Sequence, residues 1–400
     1  MKSMKKHFLL LLCFLLILQG SLLPAVAEEV VPIHEEESAA PLVGASDGSL
    51  ELPCKSAVLI EANTGTVLYT QNADEALPPA SVTKIMTLLL VMEAVDSGAL
   101  RLDDRISVSA NAASMGGSQV YLKEGEIMSV EDLLKSVVIA SANDAAVALA
   151  EYVAGNVPAF VDKMNARAKQ LGMKNTVFEN VTGLDDTAER HLTSAMDIAL
   201  MSQALISHKT ILQYSSIWMD TIRNGEFGLT NTNRLVRFYP GCTGLKTGST
   251  SKAGFCVSAT AERDGMSLVC VIMGADSGDV RNAAATRLLD WGFANYGVYS
   301  ADGLEPMPMT VIGGSRDTCK IAYGPFSCVL PKNELALVEI KVELPNTLSA
   351  PIWENTKIGE AVFSVGGRVI GKKDVVTLES VSRIGYFEIL HRMLIRFLLI

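Results

Sequence analysis

Residues 243–273 read TGLKTGSTSKAGFCVSATAERDGMSLVCVIM, two strand-like runs around one short polar break. Gly254 to Ala261 and Ser267 to Met273 have strand length and a largely apolar make-up. Asp264-Gly265 between them is a two-residue hairpin signal, because the favoured turn needs left-handed backbone at both central positions. Setting Arg263 opposite Met266 fixes the register, so that Cys256 faces Met273 and Cys270 faces Ala259. Positions 256 and 259 differ by three, so the Cys256 and Cys270 thiols point to opposite faces and are not expected to bond. Far upstream, Ala57 to Ile60 and Thr66 to Tyr69 flank Asn63-Thr64-Gly65, a second hairpin signal. Between the two hairpins the chain is helical in texture: a helix after Pro78-Pro79 through Met86 to Val95, then several helices between about 130 and 208. Residues 281–295 (RNAAATRLLDWGFAN) also read as helix. Strands on either side of a helical middle predict an α+β layer with an antiparallel sheet.

Near residue 300 the texture changes. Short β-rich runs (Met309 to Ile312, Leu335 to Leu344, Ala361 to Ser364) alternate with Gly and Pro, which predicts a small all-β domain over 301–379. Two or three domains suit a chain of 400 residues. Hydrophobic residues are 49% and charged residues 20%, with mean hydropathy +0.28, which excludes a disordered or collagen-like chain. The net charge is −10, and −13 once the three lysines of residues 1–27 are removed, which argues against a nucleic-acid partner.

Both ends carry address-like segments. Lys2, Lys5 and Lys6 precede the apolar run Phe8 to Leu18, and Ala25-Val26-Ala27 forms an A-x-A site, so residues 1–27 read as a secretory signal peptide. Residues 28–53 read as a flexible acidic leader. At the other end, 383–400 reads RIGYFEILHRMLIRFLLI, with Gly385, Glu388, His391, Arg392 and Arg396 on one helical stripe. Eighteen helical residues reach about 27 Å, marginal for a crossing. A helix over 380–400 lying in the membrane interface is therefore expected, with arginines suited to an anionic surface. Export and surface anchoring together point to the outer face of a membrane. The six cysteines beyond the signal match no zinc spacing; Cys319 and Cys328 are placed either to bridge a hairpin or to stay as free thiols.

Three polar clusters interrupt the apolar pattern. In Ser81-Val82-Thr83-Lys84, a helix starting after the prolines brings Ser81 and Lys84 to one face. A serine needs a base to become a nucleophile, and a desolvated lysine with a lowered pKa supplies one. In Ser141-Ala142-Asn143, polar side chains stand between two apolar runs, which predicts a turn presenting Ser141 and Asn143 to a cleft. In Lys246-Thr247-Gly248-Ser249, Gly248 permits close backbone approach at a strand edge, while Lys246 and Thr247 offer a cation and a hydroxyl to an anion. Each cluster alone is an ordinary helix cap or strand start. Together, in order and separated by 60 and 105 residues, they form one constellation.

That constellation resembles the penicillin-recognising serine enzymes, whose S-x-x-K, S-x-N and K-T-G elements line one cleft. Within them the chain resembles the low-molecular-weight D-alanyl-D-alanine carboxypeptidases, peptidase family S11. The similar stretches are LIEANTGTVLYTQNADEALPPASVTKIMT (59–87), GSQVYLKEGE (117–126), SVEDLLKSVVIASANDAAVALAE (129–151) and GLKTGSTSKAGFCVSATA (244–261). The resemblance implies a catalytic penicillin-binding domain over 54–300 and extends through the β-rich module and terminal helix. It implies Ser81 as nucleophile, Lys84 as its base, Ser141 as proton relay and Asn143 as a partner orienting Lys84 and the substrate amide. It further implies an oxyanion hole from the N–H groups of Ser81 and Ser249, and binding of the substrate carboxylate by Lys246, Thr247 and Arg281. Asn180 to Asp186 (NVTGLDD) resembles the loop beside the cleft. The implied substrate is a peptidoglycan pentapeptide stem ending in D-Ala-D-Ala, with β-lactams as covalent inhibitors and no cofactor or metal. Ser249 stands where many relatives carry His or Tyr.

Two rivals share this pattern. A serine β-lactamase is disfavoured by Ser-Ala-Asn in place of Ser-Asp-Asn, by Gly183 rather than Asn four residues after Glu179, and by the additional β-rich module. A non-catalytic wall-binding scaffold is disfavoured because Ser81, Lys84, Ser141, Asn143, Lys246 and Thr247 are all present.

Overall fold

The computed structural model describes residues 50–185, 188–304 and 307–398. The expected signal peptide and nearly all of the expected leader lie outside them. The central sheet has five strands: β1 (Ser56–Glu61), β2 (Val67–Gln71), β3 (Cys242–Thr250), β4 (Gly254–Arg263) and β5 (Met266–Ala275). Their order is β2-β1-β5-β4-β3, with every neighbouring pair antiparallel. The β4–β5 hairpin pairs Arg263 with Met266 and Ala259 with Cys270, the register expected from its turn. The register then shifts between Phe255 and Val257, so the anticipated pairing of Cys256 with Met273 gives way to a bulge. Cys256 and Cys270 fall in the cores on opposite faces of the sheet, and both are free thiols.

Helices cover both faces. Helix α5 (Gly278–Asn295) packs Ala284, Leu288 and Leu289 on Leu59, Leu268 and Cys270. It lies so close that a Cβ at Gly292 would stand 2.6 Å from Leu59 Cδ2. The opposite face (Val58, Ile60, Val269, Val271) packs on a helical layer that includes α1 (Lys84–Asp96), α2 (Val130–Ala140), α3 (Asn143–Ala154) and α4 (Ala195–Ser207). Because the sheet is covered on both sides, its inner strands read as nearly continuous apolar runs instead of alternating. Helix α1 is apolar almost all round, with Ile85, Met86, Leu88, Leu89, Val91 and Met92 fully buried. Strand β3 remains an edge strand.

Beyond a two-stranded pair (Tyr296–Ala301 with Phe326–Pro331), a six-stranded sheet contains β6 (Met307–Ile312), β7 (Thr318–Ala322), β8 (Val338–Glu343), β9 (Leu348–Ser349), β10 (Lys357–Val365) and β11 (Arg368–Thr377). Their order is β8-β10-β11-β7-β6-β9. Its core includes the stacked rings of Phe326 and Phe363, 4.0 Å apart. Cys319 lies on β7, whereas Cys328 lies on the two-stranded pair. They do not face each other across a hairpin, and both are free.

Helix α6 (Tyr386–Leu398) closes the described chain. Arg392 ties it to the β-rich sheet: it bonds Asp317 at 2.7 Å and the Ser315 carbonyl at 2.5 Å, and pairs with Glu388. Its apolar side faces outward, with Phe387 and Phe397 each 84% exposed. Among the described residues no helix is long and apolar enough to cross a membrane.

Candidate active site

The prolines end the extended chain, and a 3-10 turn, Ala80–Thr83, runs directly into α1. Ala80 has a φ of +49°, a left-handed conformation that costs an L-residue of order 1 kcal/mol or more. Two glycines hold the turn from either side. A Cβ at Gly183 would lie 1.8 Å from the Ala80 carbonyl oxygen. A Cβ at Gly248, on β3, would lie 2.8 Å from the Ser81 nitrogen and 2.9 Å from the Pro79 oxygen. Only glycine lets both segments reach the turn backbone. Ser81 and the Lys246–Ser249 segment, far apart in sequence, are therefore brought side by side.

Lys84 Nζ donates to Ser81 Oγ at 2.9 Å and to the Thr182 carbonyl at 2.9 Å. The side chain is fully buried. Burial, and then the Lys246 cation, hold its pKa well below the ordinary lysine range, with Asp144 opposing. An amine so placed is suited to take a proton from the serine. Lys246 is 1% exposed and donates to the Thr247 carbonyl at 3.1 Å. Burial, followed by Arg281, brings its pKa down to about 7. Thr247 Oγ1 meets Thr232 Oγ1 at 2.8 Å. Arg281 sits in the first turn of α5, which starts at Gly278 with Ser277 as its cap, three residues before the expected start. Its guanidinium is tethered to Asn282 Oδ1 at 3.1 and 2.9 Å.

Ser141 ends α2 in the left-handed conformation (φ +62°), and α3 begins two residues later at Asn143. The expected break between two apolar runs is present, and both side chains are nearly buried. The partner of Asn143 differs from expectation. Its Nδ2 donates to the Gly116 carbonyl at 2.7 Å, and its Oδ1 is buried with no partner, so it does not bond Lys84. The reason is the 116–122 segment, which folds back over α3: the Asn143 N–H donates to Ser118 O, and Asp144 accepts from the N–H groups of Val120 and Leu122. Thr182 supplies the acceptor for Lys84 instead.

Sequence reading missed Thr182 and Thr232 as individual residues, although the Asn180–Asp186 segment was noticed. Asn180 Oδ1 accepts from the N–H groups of Thr182 and Gly183, the signature of an Asn-led turn. Asp186 lies outside the described residues. Among the described residues no group of three or more His, Cys, Asp or Glu side chains is placed to hold a metal ion. A separate cavity of about 790 Å³, lined in part by Gln203, Thr243 and Ser267, contains none of the candidate residues.

A serine held by a desolvated lysine beside a sheet edge that carries the buried Lys246 is the arrangement expected of a penicillin-recognising serine enzyme. Residues 43–277 match the S11 peptidases, described as D-alanyl-D-alanine carboxypeptidases, and residues 300–383 match the C-terminal domain of penicillin-binding protein 5. The chain belongs to the S11 family of D-alanyl-D-alanine carboxypeptidases. It is 40% identical over 356 residues to the D-alanyl-D-alanine carboxypeptidase DacF of Bacillus subtilis, covering 87% of this chain and 91% of that protein. It is 33% identical to the carboxypeptidase DacC of Escherichia coli, covering 87% and 90%. Penicillin-binding protein 5 of Haemophilus influenzae superposes with a TM-score of 0.73 at 30% identity, covering 84% of this chain and 99% of that one. Penicillin-binding protein D2 of Listeria monocytogenes, solved in its ampicillin-bound form, superposes with a TM-score of 0.56 at 34% identity, covering 61% and 99%. These relatives favour the carboxypeptidase over both rival readings.

Proposed function

We propose that this carboxypeptidase removes the terminal D-Ala from peptidoglycan pentapeptide stems through an acyl-enzyme on Ser81. Neutral Lys84 takes the hydroxyl proton as Ser81 Oγ bonds to the carbonyl carbon of the penultimate D-Ala. The N–H groups of Ser81 and Ser249 receive the negative charge on the carbonyl oxygen, each such donor typically contributing ~3 kcal/mol. The C–N bond then breaks, Ser141 relays to the departing amine the proton that Lys84 took, which leaves Lys84 neutral again, and free D-Ala leaves. Water, deprotonated by Lys84, attacks the ester carbonyl, and the proton returns from Lys84 to Ser81 Oγ as it leaves, giving a tetrapeptide stem and the free enzyme. Lys246, Thr247 and Arg281 hold the terminal carboxylate, which explains a demand for a free C-terminus. The unpartnered Asn143 Oδ1 is an acceptor awaiting the substrate amide N–H. The observation that carries the reading is the 2.9 Å contact between Ser81 Oγ and a fully buried Lys84 amine.

β-Lactams acylate the same serine. The protein works after export, at the outer face of the bacterial cytoplasmic membrane, held there by α6. The outward apolar side of that helix supports interfacial binding over docking on the protein's own core. Residues 301–379 serve as the spacer between the catalytic domain and the membrane. The test is release of D-Ala from a pentapeptide stem, followed by mass spectrometry of the products. Wild type yields the tetrapeptide and Ser81→Ala does not; equal release by both sinks the assignment.

A further inference from the structure

The residues 181–183 run along one side of the nucleophile turn and α1. Val181 O accepts from Thr87 Oγ1 at 2.7 Å, Thr182 O accepts from Lys84 Nζ at 2.9 Å, and Gly183 lies against the Ala80 carbonyl. Lys84 and Thr87 share one face of α1, and the Ala80 carbonyl lies just ahead of it, so this short segment roofs the base. Something must hold an irregular segment there, and His191 makes the connection. Its Nδ1 accepts from the Glu179 N–H at 3.0 Å, so its Nε2 carries the hydrogen and donates to Thr83 Oγ1 at 2.7 Å. The ring is 6% exposed and packs edge-on to Phe178 at 5.7 Å. Glu179 in turn accepts from the N–H groups of Glu189 and Arg190, which closes the segment on itself.

We infer that His191 is a positioning residue for acylation: its bond to Thr83 latches 179–184 onto the turn and keeps the Thr182 carbonyl on Lys84 and water off the amine. The inference rests on the assignment of Ser81 and Lys84 above. The latch is constant over the working range, because burial brings the His191 pKa down to about 4 against the opposing carboxylates of Glu179 and Asp185. Lys84 is different. Its low pKa comes first from burial beneath this roof, then from Lys246, with Asp144 opposing. Loosening the roof hydrates the amine and raises its pKa, so more of it is protonated at neutral pH and unable to act as base.

The test is the second-order rate of Ser81 acylation by a fluorescent penicillin from pH 5 to 10, with thermal melting alongside, for wild type, His191→Ala and Thr83→Val. Thr83→Val is nearly isosteric and removes only the hydroxyl, so it carries the test if His191→Ala fails to fold. The expected result is acylation at pH 7 reduced about tenfold or more, with the acid limb moved about one pH unit higher in both variants. A melting temperature that drops while the acid limb stays put means a merely structural role and overturns the inference. Wild type that is not labelled at Ser81 overturns instead the assignment beneath it.

Discussion

Replacing Gly248 by alanine drives a methyl group into the backbone of the nucleophile turn. The new Cβ would stand 2.8 Å from the Ser81 nitrogen, 2.9 Å from the Val82 nitrogen and 2.9 Å from the Pro79 oxygen. All three are main-chain atoms, so no flexible side chain can move aside. Reaching an ordinary contact of 3.4 Å requires β3 and the turn to separate by about 0.6 Å. That gap lies where the proposed mechanism has the Ser81 and Ser249 N–H groups converge on one oxygen. A misplacement of about 1 Å can cost ~10²-fold, and loss of one oxyanion donor ~10²–10³-fold. Acylation by penicillin and turnover of a D-Ala-D-Ala peptide should therefore both fall about 10²-fold, or ~2.7 kcal/mol of barrier. The overpacking should cost ~1–3 kcal/mol of stability. Gly228→Ala is the control, since nothing lies within 4 Å of a Cβ there and its backbone suits alanine. Stopped-flow acylation with melting curves decides the matter. A folded Gly248→Ala protein that acylates within about threefold of wild type would refute the close approach of β3 to the turn.

Because protonated Lys84 cannot accept the serine proton, acylation should fall as pH drops through a lysine pKa held well below its ordinary value. Lys84→Arg, cationic at every working pH, should abolish acylation in the same pH–rate experiment. Lys246, at about 7 in the folded protein, binds fewer protons there than in the unfolded chain between about pH 7 and 10.4. Stability should therefore rise with pH across that window, and Lys246→Met should flatten the rise and stabilise the neutral-pH protein by about 2–4 kcal/mol, measured by denaturation across pH. Ending the chain at Ser382 should abolish co-sedimentation with anionic vesicles, whereas Arg392→Ala, which frees α6 from Asp317 and Ser315, should leave it intact.

Local chemistry made the β4–β5 hairpin legible, because a two-residue Asp-Gly turn leaves one register that buries both strands. The bulge at Cys256 was not legible. There Gly254, at φ +64°, lets the chain come so near Ala275 that a Cβ would lie 2.9 Å from its carbonyl oxygen, an outcome of pairing and not of composition. The Ser81–Lys84 contact follows from helical spacing, whereas the approach of Gly248 to the Ser81 nitrogen is set by sheet pairing and is not written in any local pattern. The second acceptor for Lys84 lies 98 residues away on a loop carbonyl, and a backbone acceptor carries no residue-type signal. The Gly116 carbonyl as partner of Asn143 Nδ2 was invisible for the same reason: it depends on the fold of 116–122, which no local pattern specifies. The terminal helix showed its stripe in sequence, but which side would meet the protein depended on Asp317 and Ser315, some 75 residues upstream.

The most direct measurement is intact-protein and peptide mass spectrometry after brief exposure to a penicillin. The protein should gain the mass of one ring-opened drug molecule, located on the peptide containing Ser81, and Ser81→Ala should gain none. An adduct on another residue, or equal labelling of folded Ser81→Ala protein, would contradict the assignment of the nucleophile and the chemistry built on it.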